Sequence, residues 1–229
     1  MKKIMMFVAV LFTVPTIQAQ NITTSFTTNG IAPIPSFTLG EAATTTVITA
    51  DINKYIAIQP DFAFSLRTGK PWYSDVFIFY KIKIDSTNRL KVGFDYSLFF
   101  QKYGNVTQTV VYPTFEANIE HSVDKDNKII GDMWYMYSVP SKYGTKGTYV
   151  SIAYQRNVDY KNFSVRITPN LFYLNFFDDS KGLMGSVDVS INHKKTGLFI
   201  GIQSVVPVTV SNVYNISKGL YIGISKKLY

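Results

Sequence analysis

Five carboxylates are the residues of this chain best placed to do chemistry: Asp61, Asp95, Glu116, Asp132 and Asp188. Each lies in a row of mostly polar side chains that alternates with a row of apolar ones. Around Asp95 the apolar row is Leu90, Val92, Phe94, Tyr96, Leu98 and Phe100, and the other row is Lys91, Gly93, Asp95, Ser97 and Gln101. Successive side chains of a β-strand point to opposite faces. The carboxylates therefore share a face with Lys81, Lys83, Lys91 and Arg166. Counted from the flanking turns, the five acids fall near the middle of their strands and the four bases nearer one end. A charge inside a protein is costly unless it is paired or hydrated. Two arrangements satisfy that condition. One is a packed salt-bridge network that closes a narrow lumen. The other is a water-filled passage with an acidic belt, which selects cations.

Other reactive types are sparse. His121 and His193 fall at turns, and Ser122, beside His121, points to the opposite face of its strand. Both histidines read as solvated turn residues, so no catalytic residue is assigned and no enzyme is expected. Asp124-Lys-Asp-Asn127 carries oxygen ligands in a calcium-like run but reads as a plain polar turn. No glycine-rich phosphate loop or His/Cys metal spacing occurs, so no cofactor or metal is implied. The chain has no cysteine. Its formal charge is +8, or +6 without Lys2 and Lys3, and the basic residues are scattered through turns, which argues against a nucleic-acid partner.

The elements that must position these groups repeat. Met1-Lys2-Lys3, an apolar run from Ile4 to Val14 and a small residue at Ala19 have the form of a secretory signal, residues 1–20. The run is shorter than the roughly 20 residues a membrane helix needs. Residues 21–229 form the remaining domain, within which 21–35 is a lead-in, a lumen plug or part of the first strand. Phe37 to Gly40 and Thr45 to Asp51 are expected strands. From Tyr55 onward the pattern is ten or more alternating residues, a short turn, and ten or more again. The hairpin Gly182–Gln203 shows it well, and Val208–Gly219 is expected to be the longest late loop. The fold class is all-β: a closed antiparallel transmembrane β-barrel of about twelve strands, each long enough to cross a bilayer. Pro60, Pro113 and Pro169 fall inside strands, where β-bulges are expected, because proline removes a ladder donor. Arginine at Val189 or Phe94 should impair assembly, and arginine at Ser190 or Ser97 should be tolerated better.

The export signal, the repeated alternation, the short turns and the aromatic final residue Tyr229 together resemble small single-chain outer-membrane β-barrel proteins of Gram-negative bacteria. The positions in phase with Tyr229 (Lys227, Ser225, Gly223 and Tyr221) depart from the hydrophobic row common at the end of such chains. The resemblance implies outer-membrane localisation, lipid around the barrel, and recognition of the C-terminal strand by the barrel-assembly machinery. It also implies periplasmic termini. The turns at Asp85–Asn88, Asp124–Asn127, Asp159–Asn162 and His193–Gly197 are then periplasmic, and the alternate ones face outward. The expected function is a narrow porin-like channel for small polar or cationic solutes. The alternatives are a non-transporting scaffold barrel, as in a subunit of an outer-membrane complex, and an exported soluble lipid-binding barrel.

Overall fold

Alternation on this scale forces a sheet that hides one face and offers the other to apolar surroundings. The computed structural model shows how the sheet closes. It describes residues 18–31, 34, 39–103, 106–139, 146–176, 180–212 and 218–227. Its strands are β1 (Gln18–Thr27), β2 (Ala43–Asp51), β3 (Ile56–Ser65), β4 (Pro71–Lys83), β5 (Asn88–Tyr103), β6 (Val106–Ser122), β7 (Asn127–Met136), β8 (Gly147–Asp159), β9 (Phe163–Phe176), β10 (Ser180–His193), β11 (Leu198–Asn212) and β12 (Lys218–Lys227). Each pairs antiparallel with its chain neighbours, and β1 pairs with β12, so the twelve strands form a closed barrel. Closure leaves no sheet edge, as a bilayer requires of a strand-built span. Among the described residues no helix is long and apolar enough to cross a membrane.

The outer face is apolar. Phe62, Ile78, Tyr96, Phe115, Met133, Ile152, Leu171, Ile200 and Ile222 are all exposed on it, from nine different strands. A soluble barrel buries such residues, so this surface is that of a lipid-facing barrel, with polar groups turned inward.

Three expectations change. Leu39 and Gly40 are not strand, while Phe37 and Thr38 lie outside the described residues; of the alternatives for 21–35, Asn21–Thr27 is part of the first strand, β1. β11 continues through Val208 to Asn212, so the late loop is shorter than expected. Extra residues are taken up by register shifts beside Leu183–Met184 and Lys181–Gly182, close to Pro207. Finally, Pro60, Pro113 and Pro169 produce no bulge. Each keeps register on one side, opposite Val76, Tyr96 and Val187 respectively. On the other side the ladder opens. Pairing skips from Val47–Asp61 to Ala50–Ile58, from Ala153–Asn170 to Arg156–Ile167, and from Thr114–Met136 to the bridge Val111–Val139. A strand residue donates its N–H to one neighbour only, so a proline breaks one ladder, and the flanking pairs hold the register.

A bulge does occur at Ala63–Phe64, opposite Trp72. The extra residue turns Trp72 and Tyr73, adjacent in sequence, both inward and buried.

At the end of the barrel that carries the termini, the turns cap themselves. Asp85 accepts hydrogen bonds from the Asn88 side chain (2.7 Å) and from the N–H groups of Thr87 and Asn88 (both 2.7 Å). Asp124 repeats the motif with Asn127 Nδ2 at 2.7 Å and the N–H groups of Asp126 and Asn127 at 2.8 and 2.9 Å. The calcium-like run is thus occupied by its own turn. These bonds, led by the asparagine side chains, hold both carboxyls below the usual aspartate range. A depressed folded value favours folding of the ionised form. The contribution is full above the unfolded aspartate range and fades as pH falls through the folded value.

Candidate functional site: the lumen wall

The inward faces of β3 to β7 bring four of the five carboxylates onto one wall. Asp61, Asp95, Glu116 and Asp132 come from β3, β5, β6 and β7. The missing strand, β4, supplies Asp75, which shares the polar face of its strand but was not among the five. Asp75 lies directly opposite Asp61, and its charge interacts with both Asp61 and Asp95. Glu116 interacts in the same way with Asp95 and Asp132. The acids form a half-ring across five neighbouring strands. Asp188 stands apart on β10, where Tyr221 donates its hydroxyl to Oδ2 at 2.7 Å. Gly201 permits this, because any side chain there would collide with the Tyr221 ring.

The half-ring is short of partners. Tyr73 donates to Asp61 at 3.4 Å, Ser97 donates to Asp95, and Asn118 donates to Asp132 at 2.5 Å. One oxygen each of Asp61, Asp75, Asp95 and Glu116 is buried with no hydrogen-bond partner among the described residues. The lumen bases are engaged elsewhere, nearer the terminal end. Lys81 pairs with Asp51 at 2.7 Å, and Lys91 pairs with Glu120 at 3.7 Å, a carboxylate shared with Lys128 at 2.6 Å. Lys83 is exposed at the strand end, and Arg166, also exposed, faces Asp188 without an ion pair. Among the described residues, no lysine or arginine pairs with an acid of the half-ring. Asp61, Asp75 and Asp95 are only 4, 2 and 1% exposed. Three neighbouring carboxylates this deep need a cation, a proton or water to offset their mutual repulsion.

Sequence reading missed what lies beside them. A chain of rings follows the inner wall: Phe79–Phe77–Trp134–Tyr149–Phe172, with successive centroids 5.6, 6.0, 5.6 and 5.7 Å apart. Towards the loop end the lumen is dry. Met136, Tyr149, Phe172, Leu174, Phe176, Met184 and Val205 form one buried cluster, joined by Ile34 from the β1–β2 connection. Ala43, Ala63, Trp72 and Tyr73 form another, with Leu39 from the same connection packed against it. That connection thus touches both walls. Towards the terminal end the inward side chains are polar and half-exposed, among them Thr23, Thr49, Gln59, Asn118, Gln155 and Asn192. The lumen is a wet cup below an apolar layer, with the acids at the boundary.

Both histidines sit at terminal-end turns. His121 Nδ1 lies 2.9 Å from Asn88 Oδ1, and His193 Nδ1 lies 2.8 Å from Thr196 Oγ1. Neither reaches the acids. No group of His, Cys, Asp or Glu among the described residues is arranged to hold a metal ion.

No protein-family model matches the chain, and no curated protein sequence matches it. Solved structures do. KdgM porin in complex with disordered oligogalacturonate superposes with a TM-score of 0.60 at 9% identity, over 93% of this chain and 100% of that one. NanC porin gives 0.59 at 13% identity, over 92% and 100%. An outer-membrane channel from Pseudomonas putida F1 gives 0.58 at 10%, over 93% and 96%. At these identities the likeness is one of fold; with the apolar outer face and the twelve strands above, the chain folds as a twelve-stranded, porin-like outer-membrane β-barrel.

Proposed function

We propose that the protein is a narrow outer-membrane channel for small polar and cationic solutes. The observation that carries this reading is the half-ring of carboxylates, none of which forms an ion pair with a lysine or arginine among the described residues. Charges on a lumen wall set which ions enter, and low-dielectric walls focus their field. Oligogalacturonate, which the KdgM structure holds, is a string of carboxylates; the acidic wall here would repel such a polyanion and favours the opposite charge. Nothing in the reading calls for catalysis or a cofactor. The terminal end faces the periplasm, lipid surrounds the apolar face, and the assembly machinery reads β12.

In planar bilayers under a KCl gradient, the reversal potential will show cation preference. Replacing Asp95 with Asn and Glu116 with Gln together will bring selectivity close to neutral. Anion preference, or selectivity unchanged in the double variant, would reject the acidic wall. The dry layer favours one other reading, a scaffold barrel that transports nothing. Its signature is a folded, membrane-inserted protein without conductance under any condition.

Residues 1–20 are proposed to be the export signal. β1 begins at Gln18, opposite Asp51, so cleavage near Ala19 or Gln20 trims the strand. Pairing with β12 starts only at Asn21 and survives. N-terminal sequencing of protein from outer membranes should begin within Gln20–Asn21; a mature chain beginning at Met1 would refute the signal.

A further inference from the structure

We propose that the carboxylate wall binds organic ammonium ions, such as alkylamines and quaternary ammonium compounds, through the rings of Phe79 and Trp134 together with Glu116 and Asp132. The inference rests on the cation-passing reading above and names the kind of cation.

The register builds the site. Trp134 lies directly opposite Glu116, and Asp132 is the next inward residue along β7. Phe77 lies directly opposite Asp95. Although β5 and β6 separate their strands, the Phe77 and Trp134 rings approach to 6.0 Å. The two rings therefore arch over the stretch of wall that carries Asp95 and Glu116. Phe79 stacks on Phe77 with the planes 9° apart. Gly93 makes room for it, since a Cβ there would lie 2.6 Å from the Phe79 ring. Phe77 and Asp95 are buried under the arch, whereas Phe79, Trp134, Glu116 and Asp132 are half-exposed to the wet cup.

Two kinds of group thus converge. Ring faces attract cations within about 6 Å through their quadrupole, and tryptophan does so best. A cation seated there favours the ionised form of the carboxylates, and Asp95, 1% exposed, keeps an oxygen behind the rings without a hydrogen-bond partner among the described residues. A small inorganic cation holds its water tightly and gains little from a phenyl face. An ammonium ion with methyl or alkyl groups gains from burying them against the rings and keeps its charge beside the acids. Lys91 sits opposite Asn118; its charge reaches Glu116 and Asp132, but its ammonium pairs with Glu120 and leaves the ring faces open to a second cation.

The chain has two tryptophans, Trp72 and Trp134, so a Trp72→Phe variant reports on Trp134 alone. In detergent, choline should change its emission saturably, and the uncharged isostere 3,3-dimethylbutanol should not. Glu116→Gln in that background should weaken the midpoint by about tenfold, the scale of one lost cation contact. No saturable change, or an equal response to the uncharged isostere, would overturn the proposal whether or not the barrel conducts. In bilayers, choline should reduce the KCl current, Trp134→Leu should relieve the block, and Trp134→Phe should retain it. Intact potassium selectivity with no choline block would defeat this inference and leave the channel reading standing. Anion preference would defeat the channel reading instead.

Discussion

Arginine at Ile152 will cost the barrel about 2–4 kcal/mol of folding free energy, the cost of a basic side chain on the lipid face near the midplane. Ile152 is central in β8, 57% exposed, and flanked outward by Leu171 of β9 and Gly131 of β7. No neighbouring carboxylate can receive the charge, and the bilayer core supplies no water. Thr49→Arg is the matched control. It faces the wet half of the lumen, where water hydrates the charge, and Asp51, the next inward residue along β2, offers its second oxygen beside the one that Lys81 holds. Folding titrations in urea with lipid vesicles, read by heat-modifiable gel migration, will separate the two. A larger loss at Thr49 than at Ile152 would mean that the two faces of the sheet have been exchanged, and an equal loss that they do not differ in polarity. Ser97 and Ser190, which alternation alone selects as tolerant sites, are poor controls. Ser97 is buried against Asp95, and Ser190 lies directly opposite Arg166.

Phe172→Ala will lower stability by about 3–5 kcal/mol, as expected for a large aromatic removed from a packed interior. Phe172 is 1% exposed, opposite Met184 on β10 and Ser151 on β8, and against Tyr149. The cavity left in the dry layer should also raise single-channel conductance, because this layer narrows the lumen at the loop end. Met184→Leu, which conserves volume, should cost less than about 1.5 kcal/mol and leave conductance unchanged. A Phe172→Ala barrel as stable as the parent would show that water, not side chains, fills that end.

The outward rows were legible because lipid contact requires apolar residues at every second position. β5 and β10 display the rule almost without exception, and strand order followed from the short turns. Neither the dry layer nor the ring chain beside the acids was legible by the same rule. Around Leu171-Phe-Tyr-Leu174 and Val76-Phe-Ile-Phe-Tyr80, both parities are apolar. A reading tuned to alternation kept Leu171, Tyr173, Val76 and Ile78 as the outward row and passed over Phe172, Leu174 and Phe77. Loss of alternation, at the loop end of β9 and in mid-strand on β4, was the available signal, since an apolar residue on the inner face marks a wall packed by other side chains. The acids were found because a lone carboxylate stands out in any row. Asp75 was missed as a member because it sits closer to its turn than the other four. Sequence carries no mark of the Trp72–Tyr73 bulge, which depends on the register with β3.

The β1–β12 seam has a kinetic consequence. Its pairs run from Asn21–Lys227 to Thr27–Tyr221, joining residues almost a full chain length apart. Every other ladder is a local hairpin that can zip as its two strands emerge. The seam must wait for the last strand, and until then β1 and β12 both present unpaired N–H and C=O groups that hydrocarbon does not satisfy. Commitment to the membrane is therefore a single terminal event. A chain halted anywhere before β12 is an open sheet with two sticky margins, however many of its hairpins have already formed.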